Sequence, residues 1–384
     1  MTTPVTELAL ALLDTDGLPA SMRDRALIAS ITSTTRERTP LAPNFASDLG
    51  VRTRSDAEVY LSEVASMQGI DVDSYLRRLE PDQVLQVITE NRKTAGYVEA
   101  TLDALLNFAG QWTLVAAIAP ALLAEPEHYG TGELTYAAAA LSAVKNPAAR
   151  TGFTQAVDSA ATSFSWSMAT IRLAAWLIKR ANNLDAGEAI LGDREARIDA
   201  LVRERRISCG DGEVMKGVGH NLRALIWTKR KNGQEANASL SLARTALRSN
   251  GLVCVGASER NRYYAQSTVN QIQLEAMQHG FDTAYEASEE HLTWARESDP
   301  TSVTEALSLT GYMAYRSNKL NTAEAHLVEA ISRLELEGAP TQLSAVRKAM
   351  IATLHVQGRD EQALLLLDQL QRDPAGLDRY RIAA

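Results

Sequence analysis

The chain has 384 residues, of which 45% are hydrophobic and 22% are charged. This length and apolar content suffice for a full hydrophobic core, which excludes an intrinsically disordered protein. The two cysteines, Cys209 and Cys254, are too few for a disulfide framework or a zinc site of the usual spacing. Neither a secretory signal nor an apolar run of about 20 residues is present, so we expect a cytoplasmic protein with no membrane partner.

Charge is unevenly distributed along the chain. The formal net charge is −8, but residues 1–171 carry −8, residues 172–262 carry +7 and residues 263–384 carry −7. A basic middle segment can bind nucleic acid, an acidic peptide or the acidic flanks of its own chain. Charge alone leaves these three alternatives open.

Good helix formers dominate the composition. Ala, Leu, Glu, Arg and Gln are abundant, aromatic residues make up only 5%, and alternating apolar and polar runs are short. This pattern predicts an all-α protein. We divide it into an N-terminal helical segment without an assigned role (1–50), a candidate DNA-binding domain (51–90), degenerate helical hairpins (91–200) and peptide-binding repeats that end in a capping or dimerisation helix (201–384).

Residues 57–81 have the spacing of a helix-turn-helix motif. Ala65 stands where two helices would cross, Gly69 follows at the turn, and apolar residues on the flanks would bury the pair. The second helix would present four side chains to DNA, with arginines suited to phosphates and guanine edges: Ser74, Tyr75, Arg77 and Arg78. The motif resembles phage-repressor-type domains. The alternative is an ordinary charged hairpin, because residues 51–80 carry a net charge of −2.

For three segments in the middle of the chain, a membrane span, a metal site or a phosphate-binding loop is the alternative to a purely structural role. The apolar run Leu114–Ala124 is too short to cross a bilayer, and we interpret it as a buried helix. Glu125, Glu127 and His128 lack a second histidine at helical spacing, so a turn is favoured over a metal site. The glycine-rich stretch 209–220 lacks the order of a phosphate-binding loop and is predicted to be a flexible interhelical loop. Without a nucleophile signature, we expect no enzyme and no cofactor.

The C-terminal half repeats a pattern of a turn residue, an alanine and an apolar residue. The copies are Gly233/Ala238/Leu242, Asn318/Ala323/Leu327 and Gly358/Ala363/Leu367, with a weaker one at Gly280/Ala284/Ser288. A small residue early in a second helix lets the partner helix approach closely. The copy at 311–330 resembles a TPR unit, although isoleucine replaces its Gly311 in the other copies, at positions 226, 272 and 351. The pattern predicts a TPR-like helical-hairpin solenoid.

In TPR hairpins the first helices line the concave face, so their polar and aromatic residues are candidates for ligand binding. The repeat frame selects His220, Arg223, Trp227, Arg230, Asn270, Gln273, Tyr312, Tyr315 and Lys348. Arginine binds carboxylates, asparagine bonds both groups of a peptide backbone, and aromatic rings supply contact area. The set suits a short linear peptide. The alternative is that these are ordinary surface residues of helices.

The last hairpin contains four consecutive leucines, Leu364–Leu367. Four successive residues point all around a helix, so they cannot all face one internal core. The run therefore predicts either a capping contact or a dimer partner on the outer side of this helix.

The order of these segments, a small helix-turn-helix followed by TPR-like hairpins, resembles the RRNPP family of peptide-sensing regulators and, within it, the phage arbitrium receptors. The resemblance implies a homodimer that binds operator DNA through its N-terminal domains. It also implies that a signalling peptide bound in the TPR-like domain controls a lysis–lysogeny choice. The competing interpretation is a TPR-like interaction scaffold without DNA binding, whose basic middle binds an acidic protein segment.

Overall fold

A computed structural model describes residues 81–93, 96–108, 111–248, 257–337 and 340–372, together with single positions between residues 66 and 80. Its helices are α1 (Pro81–Asn91), α2 (Tyr97–Asp103), α3 (Trp112–Ala124), α4 (Thr131–Ala143), α5 (Ala149–Asp158), α6 (Ser163–Lys179), α7 (Leu184–Arg203), α8 (Cys209–Lys229), α9 (Gly233–Arg248), α10 (Ala257–Gln278), α11 (Phe281–Ser298), α12 (Val303–Arg316), α13 (Leu320–Glu337), α14 (Pro340–Val356) and α15 (Asp360–Arg372). A π-helical turn, Ala104–Phe108, continues α2. The described residues include no strand, which confirms the predicted all-α class.

Consecutive helices pack together as hairpins. The pairs are α4 with α5, α6 with α7, α8 with α9, α12 with α13, and α14 with α15. First helices of successive hairpins also contact one another, as α4 does with α6, α6 with α8, and α12 with α14. This side-by-side stacking is the arrangement of a TPR-like solenoid, as the sequence predicts.

A repeated triplet of buried residues explains how the second helices pack. Each triplet consists of a residue with its fourth and seventh successors, which lie on one face of a helix. The triplets are Val115/Ala119/Leu122 in α3, Ala149/Phe153/Ala156 in α5, Gly187/Leu191/Arg194 in α7, Ala236/Leu240/Ala243 in α9, Ala284/Ser288/His291 in α11, Ala323/Leu327/Ala330 in α13 and Ala363/Leu367/Leu370 in α15. The repeat therefore begins well before the C-terminal half.

The predicted frame of the α8–α9 hairpin is wrong by two residues. Ala238 and Leu242 are exposed, and the buried triplet of α9 begins two residues earlier. The turn explains the error, because the left-handed position is taken by Lys231 (φ 60°) and not by the glycine that follows. In the corrected frame, the first-helix position assigned to Ile226 belongs to the smaller Ala224.

The glycine-rich stretch 209–220 is the first half of α8, so the loop prediction is wrong. Ser208 caps this helix, and its Oγ accepts a hydrogen bond from the Asp211 N–H at 3.0 Å. Neighbouring helices come too close for side chains at the glycines: a Cβ at Gly217 would lie 2.8 Å from Leu247 Cγ. Close packing therefore outweighs the low helix propensity of glycine, about 1 kcal/mol per residue relative to alanine.

The apolar run Leu114–Ala124 forms α3, which confirms the buried helix predicted there. Val115 and Leu122 are buried, whereas Pro120 is exposed. A 3-10 turn, Pro126–His128, follows α3 and confirms the predicted turn. No helix in the described part of the chain is long and apolar enough to span a membrane.

The described residues divide into two compact units, with the boundary between Tyr263 and Tyr264 inside α10. The first unit has an apolar core built mainly from α1–α5, in which Ile88 and Leu134 are fully buried. The second unit has a separate core built from α10–α15, in which Leu327 is fully buried. Each unit thus has its own hydrophobic core.

Part of the candidate helix-turn-helix lies within the described residues. Gly69 has a φ of 69° and donates its N–H to Ser66 O at 2.9 Å. Leu76 is buried, and Ile70 and Leu79 pack against the core of the first unit. The glycine therefore adopts the left-handed turn that the motif requires.

Candidate functional site

Three predicted peptide-binding residues lie on α8 in the first unit, and a fourth, Arg230, is the C-cap residue of this helix. Arg223 Nη2 is 2.9 Å from Glu195 Oε2 of α7, and Arg223 Nη1 is 3.2 Å from His220 Nδ1. Burial lowers the pKa of His220 below its ordinary value, although Glu195 opposes this effect. The imidazole is therefore neutral at neutral pH and can accept a hydrogen bond from the guanidinium.

The other two residues are Trp227, in the last turn of α8, and Arg230, which follows the end of the helix. Arg230 donates from Nη1 to Glu188 Oε2 at 2.7 Å and from Nη2 to Asp185 Oδ1 at 2.6 Å. Its guanidinium carbon is 5.1 Å from the centroid of the Trp227 ring, which is within range of a cation–π interaction. Acidic side chains of α7 thus neutralise both candidate arginines, and a ligand carboxylate would have to exchange with them.

In the second unit, the two candidate tyrosines lie on α12. The ring centroids of Tyr312 and Tyr315 are 6.1 Å apart. Tyr312 is only 3% exposed and belongs to the core, so its ring packs inside the unit instead of lining an open surface. Arg316 stacks on Phe281 at 4.0 Å and donates to Tyr312 Oη at 3.4 Å. Burial raises the pKa of Tyr315 and lowers the pKa of Arg316.

The remaining three candidates are partly exposed on first helices of the second unit. Asn270 and Gln273 lie on α10, and Lys348 lies on α14. The structure therefore brings together His220 with Arg223, Trp227 with Arg230, and the two tyrosines. The contribution of all nine residues to peptide binding stays a prediction.

Two of the four candidate DNA-binding residues are described. Ser74 is partly exposed. The backbone N–H of Ser74 donates to Asp71 Oδ1 at 2.8 Å, and Ser74 Oγ donates to Asp71 Oδ2 at 2.7 Å. Arg78 is exposed. Tyr75 and Arg77 lie outside the described residues. These hydrogen bonds to Asp71 explain why an acidic residue stands near the start of the candidate recognition helix.

Arg194 was not singled out from the sequence, yet it is the most unusual member of the buried triplets. Its side chain is 1% exposed and reaches helices α6 and α8. Arg194 Nε is 3.0 Å from Ser167 O, and Nη2 is 2.5 Å from Ser167 Oγ and 2.8 Å from Met215 O. Burial lowers the pKa of Arg194 to about 9. The triplet pattern in its corrected frame is the signal that could have found it.

The basic middle segment is partly neutralised inside the first unit. Besides the two arginine pairs of α8, Lys216 Nζ lies 3.0 Å from Asp199 Oδ1. Arg203 at the end of α7 and Arg205 and Arg206 in the turn that follows it are exposed. Internal compensation therefore accounts for part of the positive charge and leaves a basic turn on the surface.

The leucine run of α15 has an apolar side that the second unit does not cover. Leu364 is 49% exposed and Leu365 is 67% exposed, whereas Leu367 is buried and Leu366 packs against the core. The run thus splits between the core and the surface, as the helical spacing predicts.

Comparisons with known proteins find similarity among solved structures and not among sequences. No protein-family model matches the sequence, and no curated protein matches it. Among solved structures, the chain is similar to "apo form of the quorum sensor NprR from B. thuringiensis", with 12% sequence identity and a TM-score of 0.45. The similarity covers 98% of this chain and 97% of that chain. The assignment of TPR-like hairpins rests on the helices and buried triplets described above, and not on this similarity.

Proposed function

We propose that this protein is a peptide-responsive transcriptional regulator. Residues 51–90 bind operator DNA, and the first helices of the TPR-like hairpins hold a short linear peptide. The observation that carries the proposal is the contact between successive first helices, α4 with α6 and α6 with α8. This stacking presents side chains of several hairpins on one surface, which is how helical repeats bind extended ligands.

The chemistry of α8 supports a peptide ligand. Arg223 and Arg230 are forked donors suited to a carboxylate, and Trp227 adds an aromatic face next to Arg230. Both arginines are half-buried, so a ligand that replaced Glu195 or Asp185 would form charge-assisted hydrogen bonds in a partly desolvated environment.

The geometry around Gly69 supports the DNA-binding part of the proposal. A left-handed glycine followed by the buried Leu76 fits the turn of a helix-turn-helix, and Arg78 is exposed on the segment that would enter the major groove. The exposed Leu364 and Leu365 of α15 supply an apolar surface for a homodimer. A dimer would place two recognition segments on a two-fold symmetric operator.

The finer form of the proposal is a cytoplasmic, non-enzymatic receptor of the arbitrium type, in which the peptide controls a phage lysis–lysogeny choice. It rests on the order of segments in the sequence. The test that comes first is binding of the full-length protein to duplex DNA fragments flanking its own gene, measured by fluorescence anisotropy over a salt series. We expect saturable, sequence-selective binding that weakens by roughly 1000-fold between about 50 and 200 mM salt, if about six phosphates are contacted.

A pair of double variants tests the recognition helix directly. Arg77→Ala with Arg78→Ala should lower operator affinity by roughly 100-fold or more, because each arginine contributes to phosphate or base contacts. Arg205→Ala with Arg206→Ala removes the same charge from the exposed turn between α7 and α8 and serves as the matched control. If the control pair loses binding and the first pair does not, the DNA-binding surface is the basic turn.

The second candidate function is a TPR-like scaffold that binds an acidic protein segment and no DNA. The exposed arginines at the end of α7 and in the turn after it favour this function: Arg203, Arg205 and Arg206. The absence of selective DNA binding at every salt concentration would support the scaffold over the regulator.

A further inference from the structure

Three hairpins of the first unit, α4–α5, α6–α7 and α8–α9, turn in the same way. In each turn a left-handed residue is followed directly by an asparagine that caps the second helix. The left-handed residues have φ of 60°, 50° and 60°: Lys145, Asn182 and Lys231. Backbone N–H groups two or three residues later donate to the side-chain oxygens of the asparagines at 2.9, 3.1 and 3.2 Å: Asn146, Asn183 and Asn232. The three turns are therefore structurally equivalent.

These turns lie side by side along one edge of the unit. The first helices of successive hairpins are in contact, α4 with α6 and α6 with α8. A direct hydrogen bond joins two of the turns, since Lys229 Nζ donates to Asn182 Oδ1 at 3.1 Å. Helices in contact lie about 8–10 Å apart, so the three turns form a row roughly 20 Å long. We call this row the turn edge, and it comprises residues 142–150, 179–188 and 228–235.

The turn edge is basic, although the chain as a whole is acidic. Its three ranges contain seven basic and three acidic residues. Two of the acidic residues, Asp185 and Glu188, are already paired with Arg230. Four exposed basic side chains form no ion pair with the described residues: Lys145, Arg150, Arg180 and Lys231. Positive charge is thus open to a partner along the whole row.

The chemistry of the turn edge fits a phosphate backbone better than a protein partner. Its three ranges contain no aromatic residue, and Val144 is their only exposed large apolar side chain. Protein interfaces depend on aromatic and apolar anchors, of which this edge offers Val144 alone. Each strand of a duplex carries one phosphate per about 3.4 Å of axis, so a row of roughly 20 Å spans about six phosphates. Spaced lysines and arginines on exposed turns can contact several of these phosphates at once.

We propose that the turn edge is a second DNA-contact surface, which binds the phosphate backbone of duplex DNA. The proposal deepens the proposed regulatory function and rests on it for the identity of the partner. Phosphate contacts add affinity and fix the orientation of a protein on the duplex, but they carry no sequence information. The turn edge therefore strengthens binding to any duplex by a similar factor, whereas selectivity stays with residues 51–90.

The test is a salt series of binding between the full-length protein and a mixed-sequence duplex of about 40 base pairs, followed by fluorescence anisotropy. The edge variant combines one change in each turn: Lys145→Asn, Arg180→Gln and Lys231→Asn. Asparagine tolerates the left-handed conformation of the two lysines, so the turns are kept. We expect the slope of log K against log salt concentration to become shallower by about 3, and the affinity at about 50 mM salt to fall at least tenfold.

A control variant removes the same charge from the other end of these helices: Arg203→Gln, Arg205→Asn and Arg206→Gln. These arginines are exposed and form no ion pair with the described residues, and Arg205 is also left-handed, with φ of 56°. The control should change the slope by less than about 1. Equal changes of slope in the two variants would show that net charge and not position governs binding, which overturns the proposal. An unchanged slope in the edge variant, or no duplex binding by the wild type, overturns it as well.

Thermal unfolding followed by circular dichroism shows whether both variants fold. If the edge variant does not fold, the single variants Arg180→Gln and Lys231→Asn replace it. Each single variant should make the slope shallower by about 1, because one phosphate contact is lost. Wild-type slopes in both folded single variants would contradict the proposal.

A duplex fragment that flanks the gene separates the turn edge from the proposed regulator. A weaker affinity of the edge variant for both duplexes, with wild-type selectivity for the flanking fragment, supports both proposals. Selective binding that depends on Arg77 and Arg78, together with a wild-type slope in the edge variant, supports the regulator and overturns the turn edge. A shallower slope in the edge variant without any selectivity in the wild type supports the turn edge and counts against the regulator.

Poly-L-glutamate distinguishes DNA from an acidic protein segment. We expect the wild type to bind the duplex more tightly than poly-L-glutamate at equal concentration of charge, because the spacing of the turns matches a row of phosphates. Equal affinity for the two polyanions, lost equally in the edge variant, would assign the turn edge to acidic protein segments and overturn its assignment to DNA.

Discussion

Helices α7 and α13 occupy the same place in their hairpins and fill it in opposite ways. In α13 the triplet ends with Ala330, which packs in the apolar core of the second unit. In α7 it ends with Arg194, which bonds to backbone and hydroxyl oxygens of neighbouring helices. In six of the seven triplets the first residue is alanine or glycine, and in six the second residue is apolar. The third position can carry a charge where neighbouring helices supply acceptors and a glycine, here Gly219, leaves room.

The largest expected effect comes from exchanging the two ways of filling this position. Ala330→Arg places a cation in an apolar core, so we expect it to lower the free energy of unfolding by about 5 kcal/mol or to prevent folding. Arg194→Met should lower it by no more than about 1 kcal/mol, because a packed apolar side chain replaces a buried charge without a carboxylate partner. Urea unfolding followed by circular dichroism measures both. A stable Ala330→Arg variant would show that the two positions are equivalent.

Enlarging a glycine at a close helix contact should lower the stability of both units by a similar amount. A Cβ at Gly217 would lie 2.8 Å from Leu247 Cγ, and a Cβ at Gly311 would lie 2.8 Å from Leu327 Cγ. We expect Gly217→Val and Gly311→Val each to lower the free energy of unfolding by about 3 kcal/mol. The control is Gly192→Ala, where the added Cβ meets no atom within 4 Å. It should raise stability by about 0.5–1 kcal/mol, and a loss at this site would mean that glycine is needed for another reason.

The sequence predicted the helical class and the hairpins because alanines and turn residues recur at a regular spacing. The repeat pattern assigned Ala238 to the buried face of α9 because the residue types at 233, 238 and 242 match those of the other copies. The left-handed turn at Lys231 moves the buried face by two residues. The turn is made by lysine, a residue type that carries no turn signal. A repeat frame is therefore defined by backbone conformation before residue type.

The glycines of α8 and the buried Arg194 could not be predicted from local sequence. Glycine is a poor helix former and usually marks a loop, but at Gly217 the decisive factor is the distance to α9, which is a tertiary property. Arginine is rarely fully buried, so Arg194 looks like a surface residue of an amphipathic helix. The candidate residues His220, Arg223, Trp227 and Arg230 were selected in the uncorrected frame, and the structure nevertheless places them in contact with one another or with α7.

An effect of intermediate size is expected when candidate ligand-binding residues of the two units are compared. Arg223→Ala in the first unit and Asn270→Ala in the second should each weaken peptide binding by roughly 1–3 kcal/mol if they bond to a desolvated peptide. Titration calorimetry with a peptide that the wild type binds measures both. Glu195→Gln controls for the lost ion pair of Arg223. Unchanged affinity in both alanine variants would move the binding surface away from the first-helix residues.

The smallest expected effect is a pH dependence at the α7–α8 interface. Burial lowers the pKa of His220 from its ordinary value of 6.5, so the unfolded chain takes up this proton first as the pH falls. Its contribution to the free energy of unfolding therefore decreases below about pH 6.5, by roughly 1 kcal/mol or less at a partly exposed site. His220→Gln should flatten the stability profile between about pH 7 and pH 5. An unchanged profile would show that other groups determine it.

Cys209 makes the start of the glycine-rich helix accessible to spectroscopy. It is the first residue of α8 and is exposed. Cys254 is the only other cysteine in the sequence, so Cys254→Ser leaves a single thiol for attachment of a fluorophore. A dye at this position would report, in real time, on fraying or tightening of α8 when a peptide is added. The same helix that brings Gly219 next to Arg194 thus carries its own attachment point for an optical reporter.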